Sequence, residues 1–185
     1  MKILGGKYKG RNFFMPAGIR PTQNILRAAI FDLLGHDFTG LSFLELFAGS
    51  GAVSLEAISR GAQEVVMVEH NDLNAKTIRE NCELIGIELG GDFSLIHGDA
   101  FKYVKTFSEE KKRFDIIFFD PPYGQKLAKK TLKLITSRDI LHAQSLVMVQ
   151  LETSEKLEVP ENFTVLAQRR YGSSYLMVLQ RVLNK

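Results

Sequence analysis

The chain has 185 residues, enough for one domain with a sizeable core. Apolar residues make up 45% and charged residues 24%, the balance of an ordinary globular protein, and the single cysteine rules out an internal disulfide or a cysteine-based zinc site. There is no signal-peptide pattern and no apolar run near the ~20 residues a membrane span needs, so a cytoplasmic protein is expected.

The net charge of +3 is unevenly spread. Residues 1–31 carry Lys2, Lys7, Lys9, Arg11, Arg20 and Arg27 and no acid, whereas the remainder carries 18 basic and 21 acidic residues. A basic arm before a near-neutral body is an electrostatic footprint for a polyanion. Tyr8, Phe13 and Phe14 interleave with the charges, and Gly5, Gly6 and Gly10 would let backbone N–H groups approach phosphate. Six phosphate contacts would make log affinity fall with log salt at a slope of about −4 to −5. Residues 22–34 read as a helix starting at Thr22, after the helix-stopping Pro21. Residues 1–34 therefore form an N-terminal basic extension of a single domain spanning 1–185.

The next element is an apolar strand, Leu41 to Phe47, which ends in Gly49-Ser50-Gly51. A helix with Ala52, Val53, Leu55, Ala57 and Ile58 follows and stops at Arg60-Gly61. Strand, glycine turn and helix make a nucleotide-binding α/β unit whose ligand sits beyond the carboxyl ends of the strands. Twenty residues after Gly49, at the end of a second strand over Val65 to Val68, stands Glu69. An acid there fits the two hydroxyls of a ribose. Position 54, where a dinucleotide fingerprint wants a third glycine, is serine, which weakens a pyrophosphate ligand and is compatible with S-adenosylmethionine. After a helix over Asn74 to Ile85, a third strand (Phe93 to Ile96) leads to Asp99-Ala100, and Asp99 could accept from an adenine amine. Cys82 lies within that helix as a small core or boundary residue. His36, His70, His97 and His142 show no metal spacing, so no metal is expected.

Phe114 to Phe119 reads as a buried strand ending in Asp120-Pro121-Pro122-Tyr123. Two prolines stiffen the corner, and the residue before a proline stays extended, which aims the Asp120 side chain. The carboxylate and the carbonyls of Asp120 and Pro121 could accept both hydrogens of an exocyclic NH2. The Tyr123 ring could stack on the base that carries it, a contact worth roughly 1–3 kcal/mol. An amine conjugated to a base is a poor nucleophile, and acceptors that pull on its hydrogens localise and aim its lone pair.

Downstream, a charge run from Glu109 to Arg113 reads as a solvated loop. Lys126 to Thr136 reads as an amphipathic helix and Leu146 to Leu151 as a buried strand. Val165 to Tyr171 and Tyr175 to Leu183 read as a hairpin around Gly172-Ser173-Ser174. Alternating strands and helices predict an α/β fold, a mostly parallel sheet with helices on both faces.

The chain resembles the bacterial 16S rRNA guanine-N2 methyltransferases, which modify one guanine in the assembling 30S particle. The matching residues are Ile3 to Arg11, Arg20-Pro21-Thr22, Leu46 to Gly51, Leu55-Glu56-Ala57, Ser59 to Ala62, Val68-Glu69, Gly98-Asp99-Ala100, Phe114-Asp115 and Asp120 to Tyr123. The resemblance implies a Rossmann-like class I methyltransferase with a seven-stranded sheet whose last strand is antiparallel, and S-adenosylmethionine as methyl donor. It implies that Glu45, Phe47, Gly49 and Gly51 shape the methionine side of the cofactor site, that Glu69 holds the ribose, and that Asp99 and Ala100 form the adenine end. Asp120, Pro121, Pro122 and Tyr123 would be catalytic, and Lys7, Lys9, Arg11, Arg20, Thr22 and Arg27 would hold RNA. The expected partner is 16S rRNA within an assembled or assembling 30S particle, and the protein is expected to be a monomer. Glu45 stands where the family usually has Asp, and Ala28 where a Glu is more usual.

Three other functions explain part of the pattern. An adenine-N6 or cytosine-N4 methyltransferase would use the same corner, usually with a target-recognition domain for which there is no room here. A nicotinamide-dependent oxidoreductase would explain Gly49, Gly51 and Glu69 but not Asp120 to Tyr123. A non-enzymatic RNA-binding module would leave the strand-end acids without a role.

Overall fold

Seven strands and five helices alternate along the chain in a computed structural model that describes residues 1–15, 24–122 and 126–182. In order they are α1 (Asn24–Leu34), β1 (Ser42–Leu46), α2 (Ala52–Ser59), β2 (Glu64–Glu69), α3 (Asp72–Ile85), β3 (Phe93–His97) and α4 (Ala100–Glu109). Then come β4 (Phe114–Phe119), α5 (Leu127–Thr136), β5 (Leu141–Glu152), β6 (Phe163–Tyr171) and β7 (Ser174–Arg181). One sheet holds all seven strands in the order β3-β2-β1-β4-β5-β7-β6. Strands β1 to β5 pair in parallel, and β7 runs antiparallel to both β5 and β6.

The central strands are apolar on both sides because both faces are covered, as parallel sheets require. One core layer joins Phe43, Phe118, Met148 and Val178 of the sheet to Ile30 and Phe31 of α1, Val53 and Leu55 of α2, and Ile78 and Ile85 of α3. The other joins Leu44, Val66, Phe119 and Val149 to Val104 and Phe107 of α4 and Leu132 and Ile135 of α5.

Most sequence expectations differ from the structure at element ends. Strand β1 stops at Leu46 because Phe47 adopts a left-handed φ of 60°, which breaks the ladder. Helix α3 begins at Asp72, two residues before the expected start, because the Asn71 side chain accepts the N–H groups of Leu73 and Asn74. Strand β5 is twice as long as expected, since Leu141 already pairs with Phe114 across a register shift. Helix α4, which the sequence reading passed over, is capped by Asp99. Thr22, the expected start of α1, lies outside the described residues.

The N-terminal arm folds back on itself. Lys2 bridges Asn12 antiparallel, the Ile3 N–H donates to the Arg11 carbonyl at 3.0 Å, and the Phe13 N–H donates to the Met1 carbonyl at 2.9 Å. The arm is then fixed to α2. The N–H groups of Leu4 and Gly5 donate to the Glu56 carboxylate at 2.8 and 2.7 Å, and the Lys7 N–H donates to the Ser59 carbonyl at 2.6 Å. Gly6 makes this approach possible. It sits at φ 73°, and a Cβ there would lie 1.8 Å from the Ser59 carbonyl oxygen.

This clamp corrects the expectation for Arg27. Its side chain is 0% exposed, so it is withdrawn from any RNA backbone. The guanidinium donates to the Lys2 carbonyl, lies 3.7 Å from the equally buried Glu56 carboxylate, and stacks over the Phe13 ring. Arg60 completes the cluster, with a bond of 2.9 Å to Glu56. A buried charge needs such partners to stay ionised, and here the partners are the arm and α2.

Candidate active site

Strand register builds the site in two rows on the face shared with α1, α2 and α3. In the deeper row Met67, Glu45, Phe118 and Met148 stand side by side across β2, β1, β4 and β5. One pleat further on, at the carboxyl edge, Glu69, Asp120 and Gln150 line a cavity of about 880 Å³, which Phe47 joins after its left-handed turn sets it against the α4 side of the sheet. This is where ligands of open α/β sheets bind. Met15, Ile25 and Leu26 form one rim, and Tyr171 to Ser174 of the β6–β7 turn form another.

Glu69 is held by two backbone amides. Its Oε2 accepts from Gly49 and its Oε1 from Asn71, both at 2.7 Å. These charge-assisted bonds fix the carboxylate, and each oxygen keeps lone-pair capacity for a hydroxyl. Gly51, at φ 73°, turns the chain into α2, and a Cβ there would press on Ile78 and Met67. Phe47 holds an uncommon φ for an aromatic residue, and such strain concentrates at ligand sites.

Glu45 lies deeper and is buried. Its Oε2 accepts the Ser54 N–H at 2.9 Å, in the first turn of α2. Burial pushes its carboxyl up to about 8, the Ser54 bond opposes that rise, and the nearby Asp120 and Glu69 charges add to it. At neutral pH Glu45 therefore holds a proton until a cationic group arrives beside it. Asp120, directly after β4, is also pushed up by burial, to about 7. Asp99 is exposed, and its Oδ1 caps α4 through the Lys102 N–H at 2.8 Å.

The chemistry of the lining narrows the ligand class. Glu45, Glu69, Asp99 and Asp120 face the cavity, and no lysine or arginine does so among the described residues. Such a lining disfavours a pyrophosphate and suits a ligand that is cationic, carries a ribose diol and presents an adenine amine. S-adenosylmethionine meets all three conditions.

Most expected positions converge. Glu45, Phe47, Gly49, Glu69, Asp99, Ala100, Asp120, Pro121 and Pro122 line this cavity, and Gly51 sits just behind it. Tyr123, Arg20 and Thr22 lie outside the described residues. Lys7, Lys9 and Arg11 are exposed on the arm, with Lys7 and Arg11 flanking the Tyr8 ring at 5.1 and 5.4 Å. Arg27 is not among them.

Two features of the lining escaped the sequence reading. Phe101 packs edge-on against Phe47, with ring centroids 6.2 Å apart, and both line the cavity as aromatic walls. An aromatic two positions after a strand-end acid was the available signal. The β6–β7 turn showed only its turn chemistry, and its place at the site depends on β7 inserting between β5 and β6. Among the described residues, no group of three or more His, Cys, Asp or Glu side chains could hold a metal ion, and no helix is long and apolar enough to cross a membrane.

The family model Conserved hypothetical protein 95 matches residues 1–180. The chain belongs to this family. Among its relatives, ribosomal RNA small subunit methyltransferase D of Buchnera aphidicola is 31% identical over 169 residues, 90% of this chain and 86% of that protein. The protein of the same name from Escherichia coli is 27% identical over 184 residues, 98% of this chain and 90% of that protein. A solved structure from Escherichia coli, described as methyltransferase yhhF, superposes with a TM-score of 0.86 at 27% identity and covers 98% of each chain. This member of the family is a Rossmann-like methyltransferase, and the carboxylates that line its cavity fit S-adenosylmethionine as the methyl donor.

In that site Glu69 would hold the ribose, Asp99 with Phe101 the adenine end, and Glu45 with the Gly49–Gly51 turn the methionine end.

Proposed function

We propose that this protein methylates the exocyclic N2 amine of a guanine in 16S rRNA, with the assembled or assembling 30S particle as substrate. The observation that carries the reading is the Asp120-Pro121-Pro122 corner at the rim of a cavity lined by carboxylates. The small-subunit rRNA is the substrate printed in the names of relatives that match nearly the whole chain.

A guanine must leave its stack to reach the cavity. Asp120 and the Pro121 carbonyl accept the hydrogens of its NH2, and Tyr123 stacks on the ring. Bound S-adenosylmethionine supplies a methyl group on a cationic sulfur. As the amine lone pair forms the N–C bond, the C–S pair returns to sulfur and one N–H proton leaves. A carboxyl pushed up to about 7 suits Asp120 to take that proton near neutral pH. Lys7, Lys9, Arg11 and Arg20 hold the RNA backbone.

The test is transfer of labelled methyl to 16S rRNA and to 30S particles, followed by digestion to nucleosides. N2-methylguanosine is expected, with particles preferred and Asp120→Ala inactive. Label on adenine N6 or cytosine N4 would establish the alternative use of the same corner, and undiminished transfer by the Asp120→Ala variant would refute the mechanism.

A further inference from the structure

Helix α5 follows the Asp120-Pro121-Pro122 corner, and Leu127 in its first turn lines the cavity. Its apolar stripe, Ala128, Leu132 and Ile135, packs into the core layer that also holds α4. The opposite face carries Lys126, Lys129, Lys130 and Lys133, all exposed, and residues 126–136 contain no acid. Helix α3 differs: its exposed Lys76 and Arg79 stand among Asp72, Glu80 and Glu83, and Lys76 lies 3.7 Å from Glu80. On α5 Lys129 has an acid, Glu158 at 2.7 Å. Lys126, Lys130 and Lys133 have no ion-pair partner among the described residues.

This placement is unfavourable within the protein. Lys126 and Lys130, one turn apart, repel each other. The helix dipole disfavours cations near the first turn, where α5 has no acid, whereas α3 starts on Asn71 and Asp72 and α4 on Asp99. Lys126 also holds a left-handed φ of 54°, uncommon for such a side chain. Three local rules are broken at one point with no compensating contact in the chain, and such breaks mark function. A polyanion laid along the lysines removes the first two penalties.

The position selects the polyanion. A base that enters the cavity brings its flanking phosphates to the mouth, which is lined by carboxylates and, among the described residues, by no lysine or arginine. The neutralising charge must therefore stand beside the mouth. The arm, through Ile3 and Phe13, joins the core layer of α1, α2 and α3, and α5 belongs to the layer on the other face of the sheet. We propose that Lys126, Lys130 and Lys133 form a second surface for the RNA phosphate backbone; this rests on the rRNA reading above. The RNA strand then crosses the carboxyl edge of the sheet, held by the arm on one side of the cavity and by α5 on the other. From Lys126 to Lys133 the stripe runs about 10 Å, so it follows a length of backbone rather than one phosphate.

The test replaces all three lysines by glutamine and measures filter binding to 16S rRNA across a salt series. The salt slope should become shallower by about 2.1 to 2.7, and kcat/KM on 30S particles should fall. S-adenosylhomocysteine affinity should stay the same, and the melting temperature should not drop, because repulsion on α5 is relieved. Arginine at all three positions should restore the slope, since charge and not packing is at work. If the triple variant fails to fold, Lys130→Gln alone should shift the slope by about 0.7 to 0.9. A wild-type slope in the glutamine variants would overturn the proposal. A wild-type slope on free rRNA with impaired methylation of particles would also overturn it, and would assign the stripe to an acidic ribosomal protein. Absence of labelled methyl in rRNA with the wild-type protein would instead overturn the substrate reading, whatever the slopes report about α5.

Discussion

Asn81 and Phe14, 67 positions apart in the chain, exchange two hydrogen bonds. The Phe14 N–H donates to Oδ1 at 2.7 Å and Nδ2 donates back to the Phe14 carbonyl at 2.9 Å. The same Nδ2 lies 3.2 Å from the Ser50 carbonyl. One buried amide on α3 therefore ties the basic arm to the glycine turn of the cofactor site. Asn81→Ala would leave buried backbone groups on both sides unpaired, at a cost of about 1–3 kcal/mol. The expected outcome is a lower melting temperature together with weaker S-adenosylhomocysteine binding. Calorimetry checks both, and a variant that lost stability while binding the ligand normally would show that the arm and the turn are not coupled.

Arg27 and Lys9 should separate cleanly in RNA binding. Arg27→Met breaks the buried pair with Glu56 and should destabilise the fold by about 3 kcal/mol, the lower end of the range, because Arg60 and two backbone amides still hold Glu56. It should leave the salt dependence of RNA binding unchanged. Lys9→Ala should do the reverse, preserving stability and reducing the salt slope by about 0.7 to 0.9. With Arg27 withdrawn, the four cations assigned to the RNA backbone in this N-terminal region, Lys7, Lys9, Arg11 and Arg20, should set its share of the slope at about −2.8 to −3.6. Filter binding across a salt series gives both slopes.

How much of this was legible in the sequence depended on how local the cause was. The strands ending in Glu69 and Asp120 announced themselves because a parallel strand buried on both faces is a run of apolar residues with a polar stop. The role of Arg27 was invisible because its partners, Lys2 and Glu56, are brought to it by tertiary packing, and a lone arginine in an acid-free segment looks the same whether buried or free. The place of Gln150 on the cavity was hidden for a similar reason, because it comes from the register between β4 and β5, which the residues of β5 alone do not specify.

Glu69→Gln should weaken cofactor binding without unfolding the chain. The carboxylate accepts two amide bonds at 2.7 Å, and the neutral side chain must turn an NH2 toward one of those N–H groups. Bonds to charged acceptors are worth about 1.5–3 kcal/mol, so S-adenosylhomocysteine affinity should fall by at least about tenfold. Titration calorimetry measures this directly. Equal affinity in wild type and variant would remove Glu69 from the ribose site.

The ligand-free protein should lose stability as pH rises from acid to mildly alkaline values, and Glu45 should be a principal cause. Its folded-state carboxyl, pushed up to about 8 by burial, lies above the ordinary value of 4.5. A raised acid favours the folded state while protonated, so that contribution is complete below the ordinary value and is lost as pH climbs through about 8. Asp120, pushed up to about 7, acts in the same direction over a lower window. The gaps between the raised and ordinary values make the combined loss several kcal/mol, and Glu45→Gln should flatten the upper part of the profile. A cationic ligand reverses the preference at Glu45, because a positive group beside the carboxyl favours its ionised form. S-adenosylhomocysteine should therefore bind with proton release, and its affinity should rise between about pH 6 and 8. Calorimetry in buffers of different ionisation enthalpy counts the protons. Binding without release in the wild type, or unchanged release in the Glu45→Gln variant, would place the methionine amino group away from Glu45.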